Sequence, residues 1–270
     1  MTIETRQPRR AYIDLPHGQL HYREIGEGDG EPLLLLHQTP SSGLQWEAAY
    51  PRLAAAGLRV IAPDTPGYGM SDPLEVTPTA EGFAGAALAL LDALEVPRAA
   101  VLGHHTGAVS ACALARAQPE RVSRLVLNGV PFFTAEQQAR YLSRLPEQAP
   151  AIEEDGSHLL EPWTRRLGVT KGYSDLRAMT RCVIEMLQVR QTEWHGYIPV
   201  FTYDMEEALR ALTVPTLLFT NTGEDLYRST QRAREARPDL AYMELDGGTH
   251  DIVDEQPDAW VAAVLDFVRG

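Results

Sequence analysis

The chain has 270 residues, 44% of them hydrophobic and 23% charged, a balance that fits one folded domain with a modest insertion and excludes disordered, fibrous and low-complexity chains. Its 37 acidic and 24 basic residues give a formal net charge of −13, which favours solubility and argues against nucleic acid as a partner. Met1 to Arg10 has no apolar run after it, no stretch approaches a membrane span, and Cys112 and Cys182 stand far apart; a cytoplasmic protein with buried thiols, no membrane contact and no disulfide framework is expected.

In chain order, Ala11 to Leu15 and Gln19 to Ile25 alternate around His17-Gly18 and predict an antiparallel hairpin at a sheet edge. Gly26-Glu27-Gly28-Asp29-Gly30 is a turn and not a dinucleotide fingerprint, because Pro32 leads into a strand instead of a helix. Leu33 to Leu36 is apolar throughout, as a central parallel strand covered on both faces requires. Similar runs follow at Leu58 to Ala62, Ala99 to Leu102, Leu125 to Leu127 and Thr216 to Phe219. Helices are predicted at 43–56, 79–95 and 106–118, the second opened by Thr77 as N-cap with Pro78 in its first turn. A last helix begins at Pro257, with Val261, Val264, Leu265 and Val268 on one face.

From Pro131 to about Tyr203 the strand signal stops, and helical stretches near 135–145, 158–167 and 174–190 take over. Asp204 and Glu207 have capping-box spacing for a short helix where the strands resume. The expected class is α/β, a mostly parallel sheet flanked by helices. A core of residues 1–130 and 204–270 would carry a helical cap of residues 131–203.

One segment concentrates the chemistry. Gly103-His104-His105-Thr106-Gly107 follows a strand and precedes a helix, the context of a nucleophile elbow, with His105 as the projected residue. Leu33 to Leu36 runs into His37-Gln38-Thr39-Pro40; Asp64-Thr65-Pro66-Gly67-Tyr68-Gly69-Met70-Ser71 forms a glycine-rich turn; Asp246-Gly247-Gly248-Thr249-His250 precedes the last helix. Together these segments resemble the α/β-hydrolase fold superfamily in its capped branch, which includes epoxide hydrolases, haloalkane dehalogenases and C–C hydrolases. The resemblance covers nearly the whole chain outside the cap and implies an eight-stranded sheet.

It also implies roles. His250 would be the general base and acid, with Asp225 as its orienting carboxylate and Glu224 in reserve. The N–H groups of Thr39 and Thr106 would form the oxyanion hole, with Gln38 adding a side-chain amide. His105 departs from the superfamily's Ser, Asp or Cys, and three routes stay open. It could form an acyl-imidazole; it could bind an anionic group or move a proton while His250 activates water or substrate, giving hydrolysis or lyase-type chemistry; or catalysis could be lost, leaving a ligand-binding protein. His37 reads first as a structural residue behind the oxyanion loop. His37, His104, Trp46, Trp163, Met179, Met186, Trp194 and Tyr197 are candidates to line the pocket, with core packing as the alternative for the aromatic and Met residues. His37, His105 and His250 lack the spacing of a metal cluster, so no metal and no cofactor is expected. The leading expectation is a cofactor-independent enzyme hydrolysing an ester, lactone or C–C bond in a small apolar carbonyl compound.

Overall fold

The computed structural model describes residues 7–16, 18–146, 151–170, 172 and 175–270, so His17 of the hairpin turn and Met1 to Arg6 lie outside the described residues. Eight strands form one sheet: β1 (Arg9–Leu15), β2 (Gly18–Ile25), β3 (Leu33–Leu36), β4 (Val60–Pro63), β5 (Ala99–His104), β6 (Val122–Asn128), β7 (Thr216–Asn221) and β8 (Ala241–Leu245). Their spatial order is β1-β2-β4-β3-β5-β6-β7-β8. β1 and β2 pair antiparallel, as does β2 with β4, and every later pairing is parallel.

Helices cover both faces: α1 (Tyr50–Ala55), α2 (Ala80–Ala93), α3 (Thr106–Ala117), α8 (Met205–Ala211), α9 (Tyr227–Ala236), the single turn α10 (Ile252–Glu255) and α11 (Pro257–Arg269). Strand periodicity divides the core in two, because successive side chains point to opposite faces. Leu34 and Leu36 pack with α2, α3 and α8 on one side, while Leu33 and Leu35 join Trp46, Leu53, Trp260 and Val264 on the other. That two-sided burial is why β3 shows no apolar–polar alternation.

Between β6 and β7 the described residues hold no strand. Helices α4 (Ala135–Leu142), α5 (Ser157–Val169), α6 (Leu176–Gln188) and α7 (Tyr197–Thr202) occupy this segment. Asp175 caps α6 by accepting the Arg177 and Ala178 N–H groups.

Some local expectations change. The helix expected at 43–56 is a 3-10 turn at Gly43–Trp46 followed by α1, whose first turn carries Pro51; proline lacks the N–H needed to continue a preceding helix. The N-cap of α2 is Thr79, not Thr77: its backbone is extended and its hydroxyl accepts the Gly82 N–H at 3.0 Å. Asp204 caps α8 as its spacing suggested, accepting the Glu207 N–H at 2.9 Å.

Candidate active site

β5 lies in the middle of the sheet, and its carboxyl end opens directly into α3. One residue, His105, makes the turn with φ 49° and ψ −108°, a strained conformation that costs a non-glycine residue about 1–3 kcal/mol. Close packing forces the flanking glycines: a Cβ on Gly103 would meet the Gly107 carbonyl oxygen at 2.0 Å, and one on Gly107 would meet the Leu36 oxygen at 2.0 Å. The His105 N–H donates to the Asn128 carbonyl at 3.0 Å, which ties the elbow to β6.

The imidazole of His105 reaches past Gly129 to the loop after β7. Its Nε2 lies 2.6 Å from Oε2 of Glu224, and the other carboxylate oxygen accepts the Thr220 hydroxyl at 2.6 Å. An ionised carboxylate only accepts, so Nε2 carries the proton and Nδ1 keeps the lone pair. Glu224, expected in reserve for His250, therefore serves the elbow.

His250 is held by a different carboxylate. Its Nδ1 lies 3.5 Å from Oδ2 of Asp225, a largely exposed group, and this contact brings the Asp225 carboxyl below the usual range. On the far side of the ring, Nε2 lies 2.5 Å from Nη1 of Arg166 on α5. Arginine only donates, so Nε2 accepts and the neutral ring's proton sits on Nδ1, facing Asp225. The loop carrying His250 is fixed by the Asn221 amide, which donates at 3.0 Å to the carbonyls of both Gly247 and Thr249. The His105 and His250 ring centroids are 6.0 Å apart.

Both imidazoles face one cavity of about 280 Å³. Gln38, Thr39, Thr106, Asp225, Met186 and Tyr197 also line it, among the expected residues. The Thr39 N–H lies 3.4 Å from the Thr106 hydroxyl, a long contact, and the Thr106 N–H, at the first position of α3, has no acceptor within the helix. The Gln38 N–H is engaged by Gln45 at 2.8 Å, so only its side chain is left to offer.

Six other expected residues are not among the cavity's lining. His37 sits behind the loop, with Nδ1–H donating to the Gln38 carbonyl at 2.8 Å and Nε2 accepting the Thr65 N–H at 2.7 Å; burial pushes its pKa down. His104, the last residue of β5, is buried beside the elbow, its ring 4.3 Å from that of His105 and its Nδ1 against Gln45, with Trp46 at 6.3 Å. Trp46 is fully buried and packs on Trp260 at 5.6 Å. Met179 is fully buried within α6's inner face. Trp163 lies about one turn before Arg166 on α5, and Trp194 packs edge-on against His195.

The ligand atoms of His104, His105 and Glu224 lie within 4.8 Å of one another, a cluster to be tested as a metal site. The Gln45 oxygen accepts the Gln38 N–H, so its NH₂ must donate to His104 Nδ1, leaving the proton on Nε2. A metal would need that nitrogen's lone pair, so this donor set does not suit one. Burial, first of all, pushes the His104 pKa well down.

Three features of the site carried no sequence signal: the pairing of Glu224 with His105, Arg166 against His250, and Glu185. Glu185 is a buried carboxylate of α6 that accepts the Ser41 hydroxyl at 3.0 Å and the Ser42 hydroxyl, joining α6 to the loop after β3.

Comparison with known proteins agrees with this architecture. Residues 31–161 match the family model described as the alpha/beta hydrolase fold. The chain is 40% identical over 126 residues to 2-hydroxy-6-oxononadienedioate/2-hydroxy-6-oxononatrienedioate hydrolase 2 of Pseudomonas putida, a match covering 45% of this chain and 42% of that protein. The matched part thus spans less than half the length of this curated relative. Among solved structures, an enol-lactonase from Burkholderia xenovorans LB400 superposes with a TM-score of 0.77 at 22% identity, over 96% of this chain and 100% of that one. An epoxide hydrolase from Vigna radiata gives a TM-score of 0.80 at 19% identity, over 99% of both chains. With its sheet order, its strained elbow after β5 and these matches, the protein has the α/β-hydrolase fold.

Proposed function

We propose that the protein hydrolyses an ester, lactone or C–C bond next to a carbonyl in a small, largely apolar molecule, without a cofactor, beneath a helical cap formed by residues 131–203. The observation that carries this reading is the pair of imidazoles, each oriented by its own carboxylate, facing one cavity from opposite loops. The Pseudomonas putida relative is named as a hydrolase of an oxo compound, which supports the same class.

The chemistry follows from the tautomers. His250, with Nδ1–H directed at Asp225, uses Nε2 to take a proton from water as the water oxygen bonds to the carbonyl carbon. The oxyanion so formed accepts from the Thr39 and Thr106 N–H groups, with the Gln38 amide beside them. The proton gained by His250 passes to Nδ1 of His105, and as the tetrahedral species collapses the leaving atom takes it from there, while the Nε2–H stays on Glu224. Both rings return to their starting tautomers, and the net change is the consumption of one water.

Rapid-quench intact-mass measurement during turnover of aryl esters and lactones tests the water-activated route. The expected result is unmodified protein at every time point. An acyl adduct on His105 would replace this route with a nucleophilic one.

A further inference from the structure

Arg166 is buried, yet its guanidinium edge lines the cavity. Nη1 donates to Nε2 of His250 at 2.5 Å, and Nη2 donates to Oδ1 of Asp251. In this arrangement Nε of Arg166 and Oδ2 of Asp251 are both buried without a partner. Guanidinium and carboxylate pair best as a two-pronged fork. Turning Arg166 into that fork with Asp251 would match the two orphaned atoms and lift Nη1 from His250. The observed arrangement covers the lone pair of the base, and the fork would uncover it.

What moves it is set by charge. Arg165 also lines the cavity, but its Nη2 is held by both oxygens of Glu193 at 2.7 and 2.8 Å. Arg166 meets Asp251 through one nitrogen only and turns the other toward a neutral ring in the cavity. A carboxylate is a far stronger acceptor for a guanidinium N–H than an imidazole nitrogen. Phe133, Val200, Phe201 and Leu226 supply apolar walls, while the carboxylates of Glu193 and Asp225 at the lining are turned to Arg165 and His250.

We propose that Arg166 is both the anion-recognition residue of this pocket and a gate on His250, so that a carboxylate on the substrate draws the guanidinium off Nε2 and frees the base. The substrate class is then an apolar body bearing one carboxylate near the bond to be cleaved. This deepens the hydrolase reading and rests on it for turnover, but not for binding.

The test uses phenylacetate and the near-isosteric neutral phenylacetamide, titrated into the full chain by calorimetry, with the ¹⁵N resonances of the His250 ring followed in parallel. The expected result is binding of phenylacetate at least tenfold tighter than phenylacetamide, with a shift at His250 Nε2 on phenylacetate alone. Arg166→Met abolishes the preference, and its free spectrum at His250 resembles that of the phenylacetate-bound wild type. Arg166→Lys keeps a charge beside Asp251 if the Met variant does not fold, and it reduces the preference severalfold. Equal affinity for the two probes, no binding of either, an unshifted His250 or a preference that survives Arg166→Met would each overturn the proposal. None of these readouts requires turnover. Absence of hydrolysis with the acid preference intact would reject the hydrolase reading and leave the gate standing.

Discussion

At the residue scale, the proposed chemistry depends on which nitrogen of each histidine is engaged. His105 presents Nδ1 to the cavity because Glu224 holds Nε2, and His250 presents Nε2 because Asp225 stands by Nδ1. Replacing His250 with Ala removes the proton acceptor, and kcat is expected to fall by about 10²–10⁴-fold in initial-rate assays. Glu224→Leu leaves the Thr220 hydroxyl and His105 Nε2–H without their acceptor. Each unpaired buried donor costs about 1–3 kcal/mol, so urea denaturation should show a clear loss of stability together with lost activity. His105, His250 and Asp225 were legible because each follows a strand within a short motif. The role of Glu224 was not, since adjacent loop residues send their side chains in different directions that only the fold reveals. Arg166 lies in a helix with no motif around it, and its meeting with His250 spans 84 residues of sequence.

At the element scale, two buried carboxylates pin the loops that shape the site. Asp64, in the turn after β4, accepts from His21 and Arg23 at 2.8 Å each, and from the Gly43 and Met70 N–H groups at 2.8 and 2.9 Å. Burial alone would raise its pKa, but the His21 hydrogen bond and the Arg23 charge bring it below the usual range. Asp64→Ala strands the Arg23 guanidinium, and a loss of about 3–5 kcal/mol in urea unfolding is expected. Glu185 goes the other way: burial pushes its carboxyl up, against the Ser42 and Ser41 hydrogen bonds and the Arg181 charge. The folded state then holds its proton more tightly than the unfolded chain. The group's contribution is therefore most favourable at low pH and is lost as pH rises from the ordinary carboxylate range to the raised folded value. Thermal unfolding of Glu185→Gln should show a gain over wild type at neutral pH that shrinks toward acid pH; a gain independent of pH would contradict this. The aspartate turn was readable from its glycines and proline, whereas Glu185 looks like any polar residue of an amphipathic helix until α6 lies over the loop.

At the scale of the whole molecule, the sheet was legible wherever both its faces are covered. Leu33 to Leu36 announced itself as a continuous apolar run, and Leu34→Ala in that run is expected to cost about 2–5 kcal/mol, measurable by denaturant unfolding. β8 left no such trace: it is an edge strand, Ala241–Leu245, with exposed residues at Ala241 and Glu244, and a sequence so interrupted does not read as a buried strand. The short helix α7 escaped for a related reason, since Pro199 sits inside it. The proposed hydrolysis binds these levels together, because it needs the elbow, the β7 loop and the His250 loop to meet at one cavity. Initial rates on a panel of aryl esters, lactones and their carboxylate-bearing analogues test it most directly, with wild type, His105→Ala, His250→Ala and the double variant compared. Turnover by the wild type is expected to fall at least about 100-fold in each single variant, with little further loss in the double because the two rings share one proton relay. Turnover that survives in both single variants would contradict it.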